Sequence, residues 1–367
     1  MIKTDNKESK KAVLDGLISL FGQNRRWLLF FGTGTSIAVD CRLGMPALTE
    51  HLTAQMPDNA DWHRVKIALD DGASLEQALT GPGLNGTTKA SIQRITGDHV
   101  ASIDAELRCD MLLGKKCWPG ERLVKALVQR LPPRNPRLSI VTPNYDMLIE
   151  YACSRHGIRY TTGFEGELIR DWDWEQAQNS LNQCLVNSKG VALQPLPRVE
   201  LFKVHGSVNR FSDAAANRQV ECDLWTSSCP PGFERVIAAP GEQKFEQYAT
   251  NSMDVHAGAI RAEDEAMAYA AIGYGFNDRH LEQRMLDRVH SQERPLLVMT
   301  LDLHADRIKE LRDLGKQIWI LVASKGSGNE GAPNGTLVYS PLYSDAVSFD
   351  NENLWHCEHF AKRILGD

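Results

Sequence analysis

Along this chain, short runs that are apolar at most positions alternate with amphipathic stretches. The runs Trp27–Gly32, Leu138–Thr142, Val199–Val204, Arg235–Ala239, Tyr269–Gly273, Leu296–Thr300 and Gln317–Val322 predict strands, several of them apolar throughout, as strands buried on both faces of a sheet are. Apolar residues at helical spacing predict helices over Asn144–His156, Asn277–Val289, Asp302–Leu314 and Asn353–Leu365, with Gly157 standing where a helix C-cap belongs. This alternation predicts an α/β protein on a Rossmann-like, doubly wound, mainly parallel sheet. Two regions interrupt it. Residues 50–135 hold helical stretches and no convincing strand, which predicts a helical insertion after the first βα unit. Residues 207–234, with Cys229-Pro230-Pro231-Gly232, read as an irregular excursion. No repeat, low-complexity run or long linker divides the chain. The expectation is one domain over 1–367 with the insertion at 50–135 and a C-terminal helix over 353–367.

Composition narrows the class. At 42% hydrophobic and 24% charged, the 367 residues match an ordinary globular chain. Lys plus Arg number 41 against 47 for Asp plus Glu, a formal net charge of -6, so no global basic field recruits nucleic acid. The longest apolar stretches, such as Trp27–Phe31, fall far short of the roughly 20 residues of a membrane helix. The polar, lysine-rich start, Met1–Lys11, leads into no signal-type apolar core, which predicts a cytoplasmic protein with no membrane partner. Eight cysteines, at 41, 109, 117, 153, 184, 222, 229 and 357, form no CxxC pair and no zinc-ribbon spacing. Reduced, mostly buried thiols and no bound metal are therefore expected.

Candidate chemistry gathers at the ends of four predicted strands. The turn Gly32-Thr33-Gly34-Thr35-Ser36 has glycines at alternate positions, which let the backbone turn sharply and approach a ligand, and the helix start behind it offers N–H groups to a phosphate. The third glycine of the usual GxGxxG is missing, so a plain β–α turn explains the same residues. Thr142-Pro143-Asn144-Tyr145-Asp146 puts an amide and a carboxylate outside a strand end, where open α/β sheets bind ligands, and a helix N-cap explains either residue equally well. His205-Gly206-Ser207 ends a third strand with a histidine, a candidate base or a structural ring. Gly273-Tyr274-Gly275-Phe276-Asn277-Asp278 ends a fourth, as a nucleotide-admitting turn or as a tight turn with Asn277 or Asp278 capping the next helix.

In this order, the four sites resemble the sirtuin-like (silent information regulator) NAD-binding family, whose members carry a Gly-Ala-Gly-x-Ser turn, a Thr-x-Asn-x-Asp motif and a His-Gly motif. Gly273-Tyr274-Gly275-Phe276 is similar to the family's nucleotide-ribose turn, and Gly44-Met45-Pro46 to its Gly-Ile-Pro segment. The chain also departs from the family. The zinc module of deacylases, two CxxC pairs after the His-Gly motif, is reduced to Cys222 and Cys229, and the family's Gly-Ile-Pro-Asp-Phe-Arg signature is reduced to Gly44-Met45-Pro46-Ala47-Leu48, losing the Asp and Arg. What remains resembles bacterial sirtuin-like effectors of antiphage defence, which hydrolyse NAD to ADP-ribose and nicotinamide in abortive infection.

The resemblance implies NAD as substrate, without a metal. Asn144 would position the attacking water or the ribose hydroxyls, Asp146 would contact the nicotinamide amide or stabilise developing positive charge, and His205 would accept a proton. Gly32, Gly34 and Ser36 would cradle the diphosphate, Gly273, Gly275 and Thr300 would line the adenosine side, and Thr33 and Thr142 would also contact the NAD. The rival implications are a sensor that binds NAD or ADP-ribose without turnover, and a protein deacylase or ADP-ribosyltransferase. A toxic hydrolase also implies restraint through a homo-oligomer or a regulatory partner, a HerA-type hexameric ATPase or a nucleotide-sensing subunit. Residues 50–135 and the C-terminal helix around Trp355, Phe360 and Ile364 are the candidate contact surfaces, or else pack on the chain's own core.

Overall fold

Trp27–Phe31 (β1) is apolar at every position and buried along its whole length, because it lies inside a nine-stranded sheet. The computed structural model describes residues 6–22, 25–80, 83–187, 190–213, 215–241, 253–276, 278–324 and 334–366. The sheet contains β1, Arg137–Thr142 (β2), Arg159–Thr161 (β3), Arg198–Lys203 (β4), Ala268–Ile272 (β5), Leu296–Thr300 (β6), Ile318–Ala323 (β7), Gly335–Tyr339 (β8) and Val347–Asp350 (β9). Their order is β9-β8-β7-β6-β5-β1-β2-β4-β3. All pairings from β7 through β5, β1 and β2 to β3 are parallel, while β8 and β9 extend the edge in antiparallel fashion. The α/β expectation holds, with a mainly parallel sheet.

Successive side chains of β1 point to opposite faces, and both faces are covered. Leu29 and Phe31 join a core with Leu138, Ile140, Leu201, Ile272 and the N-terminal helix Asn6–Gly22, through Val13, Leu17 and Leu20. Leu28 and Phe30 join a second with Val141, Phe202, Tyr269, Val298 and the helices Met253–Glu265 and Arg279–Ser291, through Val255, Met285 and Val289. Between β1 and β2 the chain forms the helices Gly34–Ile37, Met45–Gln55, Ala60–Asp70, Leu75–Thr80, Gly86–Leu112 and Glu121–Val128. Leu48, Leu52, Trp62, Leu75, Leu79 and Ile92 form a satellite core there.

The stretch 207–234 is not irregular. Gly206–Asp213, Arg218–Glu221 and Phe233–Ile237 form a five-stranded antiparallel sheet with Arg170–Trp172 and Phe164–Gly166. The run predicted as Arg235–Ala239 is its edge strand and does not enter the parallel sheet. Charged residues hide this sheet in the sequence because their side chains are buried against partners: Arg210 Nη2 meets the buried Glu221 Oε1 at 3.0 Å, and the buried Arg235 Nη1 meets Asp98 Oδ1, on a half-exposed side chain, at 2.7 Å.

Helix starts also differ from the periodic reading. The helix after β2 begins at Leu148 rather than Asn144, and the next expected helices run Arg279–Ser291 and Ala305–Arg312; Asn277 lies outside the described residues. At the C-terminus, helix forms at Cys357–Phe360 and continues as a π-helical turn, Ala361–Leu365. Asn353 is held out of it because its Oδ1 accepts the Gly335 N–H at 2.8 Å. Phe360 and Ile364 pack in the chain's own core. Among the described residues, no helix is long and apolar enough to cross a membrane.

Candidate active site

From β1 the chain moves to β2 and β4 on one side, then returns to place β5 on the other side of β1. Such a reversal opens a crevice at the carboxyl ends of the central strands. A cavity of about 430 Å³ lies there, lined in part by Thr33, Gly34, Asn144, Asp146, His205, Gly273, Gly275 and Thr300. The four strand-end motifs therefore meet in one place.

The two glycine turns touch backbone to backbone. Gly32 N–H donates to Ile272 O at 2.9 Å, Gly34 N–H to Gly273 O at 3.0 Å, and Gly273 N–H to Met299 O at 2.8 Å. A Cβ on Gly32 would lie 2.5 Å from Gly273 O, and one on Gly273, whose φ is +56°, would lie 2.8 Å from the Thr35 nitrogen. The glycines are thus required first by each other. Gly32, Ser36 and Thr142 are not among the cavity-lining residues and form the layer behind the wall.

Behind that wall a hydrogen-bond web aims the loop after β2. Thr142 Oγ1 donates to Phe31 O at 2.7 Å and accepts from the Asn144 N–H at 3.1 Å, which pins the loop to β1. Asn144 Nδ2 donates to Gly32 O at 3.1 Å and to Ser36 Oγ at 2.9 Å, and Ser36 Oγ donates to Asp146 Oδ2 at 2.7 Å. A carbonyl can only accept, so Gly32 fixes which end of the amide is nitrogen. Asn144 Oδ1 is left buried with no hydrogen-bond partner among the described residues. A helix-cap role does not describe Asn144. Asp146 does accept the Leu148 N–H, at 3.3 Å, through its other oxygen.

The same loop is held from below by Lys203, which motif reading missed because a lysine ending an apolar strand looks like a surface residue. Its side chain is 1% exposed. Its Nζ donates to Asp146 O at 2.6 Å, Ser207 Oγ at 2.7 Å, Glu150 Oε1 at 2.9 Å and Tyr145 O at 3.2 Å. Burial pushes the Glu150 carboxyl up, against the pull of Lys203.

His205 is 5% exposed, and its Nε2 lies 3.4 Å from Asp278 Oδ2. Its carbonyl accepts the Ala238 N–H at 2.8 Å. The next residue must be glycine: Gly206 has φ +91° and a Cβ would lie 2.0 Å from Val236 O. This turn carries the chain from the parallel sheet directly into the antiparallel one. Asp278, the last residue of the fourth motif, lines the cavity, which also draws on residues that no strand-end motif marked: Arg42, Leu48, Glu76 and His99 from the helices between β1 and β2, and Asp302 beyond β6. Burial pulls the His99 imidazole down, and its Nε2 lies 3.0 Å from Arg42 O. Met45 and Pro46 line the cavity too. Among the described residues, no group of three or more His, Cys, Asp and Glu side chains could hold a metal ion.

Residues 138–316 match the family model of the SIR2-like domain. Among solved structures, the chain is similar to one described under the structural basis for the mechanism and regulation of Sir2 enzymes, at 10% identity over 84% of this chain and 92% of that one, with a TM-score of 0.43. It is also similar to Sir2Tm bound to a propionylated peptide, at 12% identity over 83% and 91%, with a TM-score of 0.40, and to a Sir2 homolog–NAD complex, at 12% identity over 80% and 82%, with a TM-score of 0.39. No curated protein matches the chain.

Proposed function

From the premise that this chain carries a SIR2-like domain, and so an NAD-related function, we propose that it is an NAD glycohydrolase that converts NAD to ADP-ribose and nicotinamide. The observation that carries the reading is Asn144. Its nitrogen is spent on Gly32 and Ser36, and its Oδ1 is buried, faces no protein donor among the described residues, and belongs to a cavity-lining side chain. A buried acceptor without a donor costs about 1–3 kcal/mol, a cost that a ligand O–H in the cavity would remove.

Breaking the nicotinamide–ribose bond passes through an oxocarbenium-like C1′, and the cationic pyridinium leaves without an acid. The residues need only orient the dinucleotide, stabilise positive charge and activate water. Asn144 Oδ1 accepts from the attacking water or a ribose hydroxyl, and the Asp146 carboxylate faces the developing charge or the nicotinamide amide. His205 takes the proton from water, a contribution of roughly 10²–10⁴ in rate. Thr33 and Gly34 lie along the diphosphate, with Gly32, Ser36 and Thr142 supporting them from behind. Gly273, Gly275 and Thr300 line the adenosine side, where Asp302 would accept ribose hydroxyls.

No metal takes part in this scheme. The whole chain, 1–367, acts as one unit, with the helical stretch 50–135 supplying one wall. The further proposal is a cytoplasmic antiphage effector that depletes NAD in abortive infection and is restrained by self-assembly or by a partner, a HerA-type ATPase or a nucleotide-sensing subunit. Chromatography of NAD incubated with the purified protein, alone and with such a partner, tests the reaction. Free ADP-ribose supports it. Bound but intact NAD would make the protein a sensor, and acyl-ADP-ribose formed with an acylated peptide would make it a deacylase. Light scattering on the eluted protein tests assembly.

A further inference from the structure

We propose that Asp104 is a positioning residue for the loop that carries Asn144 and Asp146, gripping, with Lys203, the two ends of the peptide bond between Asp146 and Met147; its effect on turnover rests on the hydrolase reading. The carbonyl of that peptide, Asp146 O, accepts from Lys203 Nζ at 2.6 Å, and its N–H, on Met147, donates to Asp104 Oδ1 at 2.8 Å. A trans peptide is a rigid plane whose C=O and N–H point in opposite directions, so one side chain at each end fixes how the plane is turned. The peptide before it is anchored as well: Tyr145 O accepts from Lys203 Nζ at 3.2 Å and from the Val208 N–H at 3.0 Å. Asp146 is set between two held planes. The only soft backbone torsions it has are those two planes' rotations, so its carboxylate keeps one direction.

Asp104 lies within the helix Gly86–Leu112 and is fully buried, a place where a carboxyl is costly unless its oxygens are satisfied. Both oxygens serve the neighbouring loop and helix rather than its own. Oδ1 goes to Met147, and Oδ2 accepts from the Tyr151 hydroxyl at 2.6 Å. Arg108 Nε donates to the same hydroxyl at 3.2 Å, which turns the tyrosine's own hydrogen towards Asp104. Burial pushes the Asp104 carboxyl up, and in either protonation state an oxygen can accept the Met147 N–H.

The grip is passed on to the amide that carries the functional reading. Asp146 Oδ2 accepts from Ser36 Oγ at 2.7 Å, and Ser36 Oγ accepts from Asn144 Nδ2 at 2.9 Å. A turned Asp146 would therefore pull on Asn144. The helix that carries Asp104 also puts His99 and Val100 on the cavity wall, so this one carboxyl keeps the wall and the loop in register.

Three variants separate the grip from ordinary packing. Tyr151→Phe removes the bond to Oδ2 and leaves Met147 held, Asp104→Asn keeps an oxygen for Met147, and Asp104→Ala removes both bonds. Tyr151→Phe and Asp104→Asn are expected to melt lower than the parent yet keep kcat within about threefold, while Asp104→Ala lowers kcat by roughly 10²-fold with a KM for NAD within about threefold. In ¹⁵N-methionine-labelled protein, the Met147 amide proton should lie at low field and resist exchange in the parent, Tyr151→Phe and Asp104→Asn, and lose both properties in Asp104→Ala. Among whichever variants fold, turnover that follows the Met147 amide supports the grip, and turnover that follows the melting temperature instead overturns it. A Met147 amide already unprotected in the parent overturns it too. If the parent leaves NAD intact, the hydrolase reading falls, and the Met147 amide still decides whether Asp104 holds the loop.

Discussion

Asn144 and Ser36, carried by different strand-end turns, meet side chain to side chain: the Asn144 Nδ2 donates to the Ser36 hydroxyl at 2.9 Å while the hydroxyl donates to Asp146 at 2.7 Å. One amide thereby fixes the spacing between the two turns and keeps its oxygen for the cavity. Asn144→Ala is expected to lower kcat for NAD hydrolysis by at least about 10²-fold, and His205→Ala similarly. Both variants should still melt cooperatively within a few degrees of the parent. Unfolding of either, in place of a specific kinetic loss, would assign these side chains to packing.

Gly34→Ala pushes a Cβ to 2.8 Å from Gly273 O, backbone that cannot move aside, whereas Gly22→Ala meets nothing within 4 Å. We expect Gly34→Ala to lose about 1–3 kcal/mol of stability together with NAD affinity, and Gly22→Ala to be neutral in both. Denaturant titration and calorimetry provide the comparison. Equal behaviour of the two variants would remove the contact between the turns from the account.

Lys203 neutralises Glu150 and also binds two loop carbonyls. Lys203→Met leaves a buried carboxyl without its partner and should cost about 3–5 kcal/mol. Adding Glu150→Gln should recover much of the stability but not the turnover, because the Asp146 carbonyl still lacks its Lys203 donor, while the Tyr145 carbonyl keeps only the Val208 N–H and the Ser207 hydroxyl. Recovery of both would reduce Lys203 to a counter-charge.

Glu263 is 4% exposed, and burial pushes its carboxyl from 4.5 up to about 8. The folded state then holds a proton that the unfolded chain releases near 4.5. Its contribution to stability is present in full below about 4.5 and is lost as pH rises through about 8. Glu263→Gln should therefore match the parent near the acid end of that window and melt several degrees higher at its alkaline end. Parallel melting profiles across the window would contradict this.

The parallel sheet was legible because strands buried on both faces are apolar at consecutive positions, as β1, β5 and β6 are. The four motifs were legible because each stands at the end of such a strand. The antiparallel sheet was not, since Arg210 pairs with Glu221 inside it and Arg235 with Asp98 of a neighbouring helix, and all look like surface charges in one dimension. Lys203, buried and fully hydrogen-bonded, was missed for the same reason. The helix after β2 starts later than its periodicity predicts because Pro143–Met147, which carries Asn144 and Asp146, is shaped by bonds to β1 and Lys203 that no local periodicity records. Glu76 and His99 reach the cavity only through the packing of the helices between β1 and β2.

The joints between the two sheets have a mechanical meaning. β4 ends at Lys203 and the antiparallel strand begins at Gly206, and β3 likewise passes through Thr162 and Gly163 into Phe164–Gly166, so the sheets are tied by two joints of two residues each. Any twist of one sheet against the other loads both joints, one of which holds His205. Torque applied to the antiparallel sheet, remote from the cavity, would reach the ring that must face the substrate.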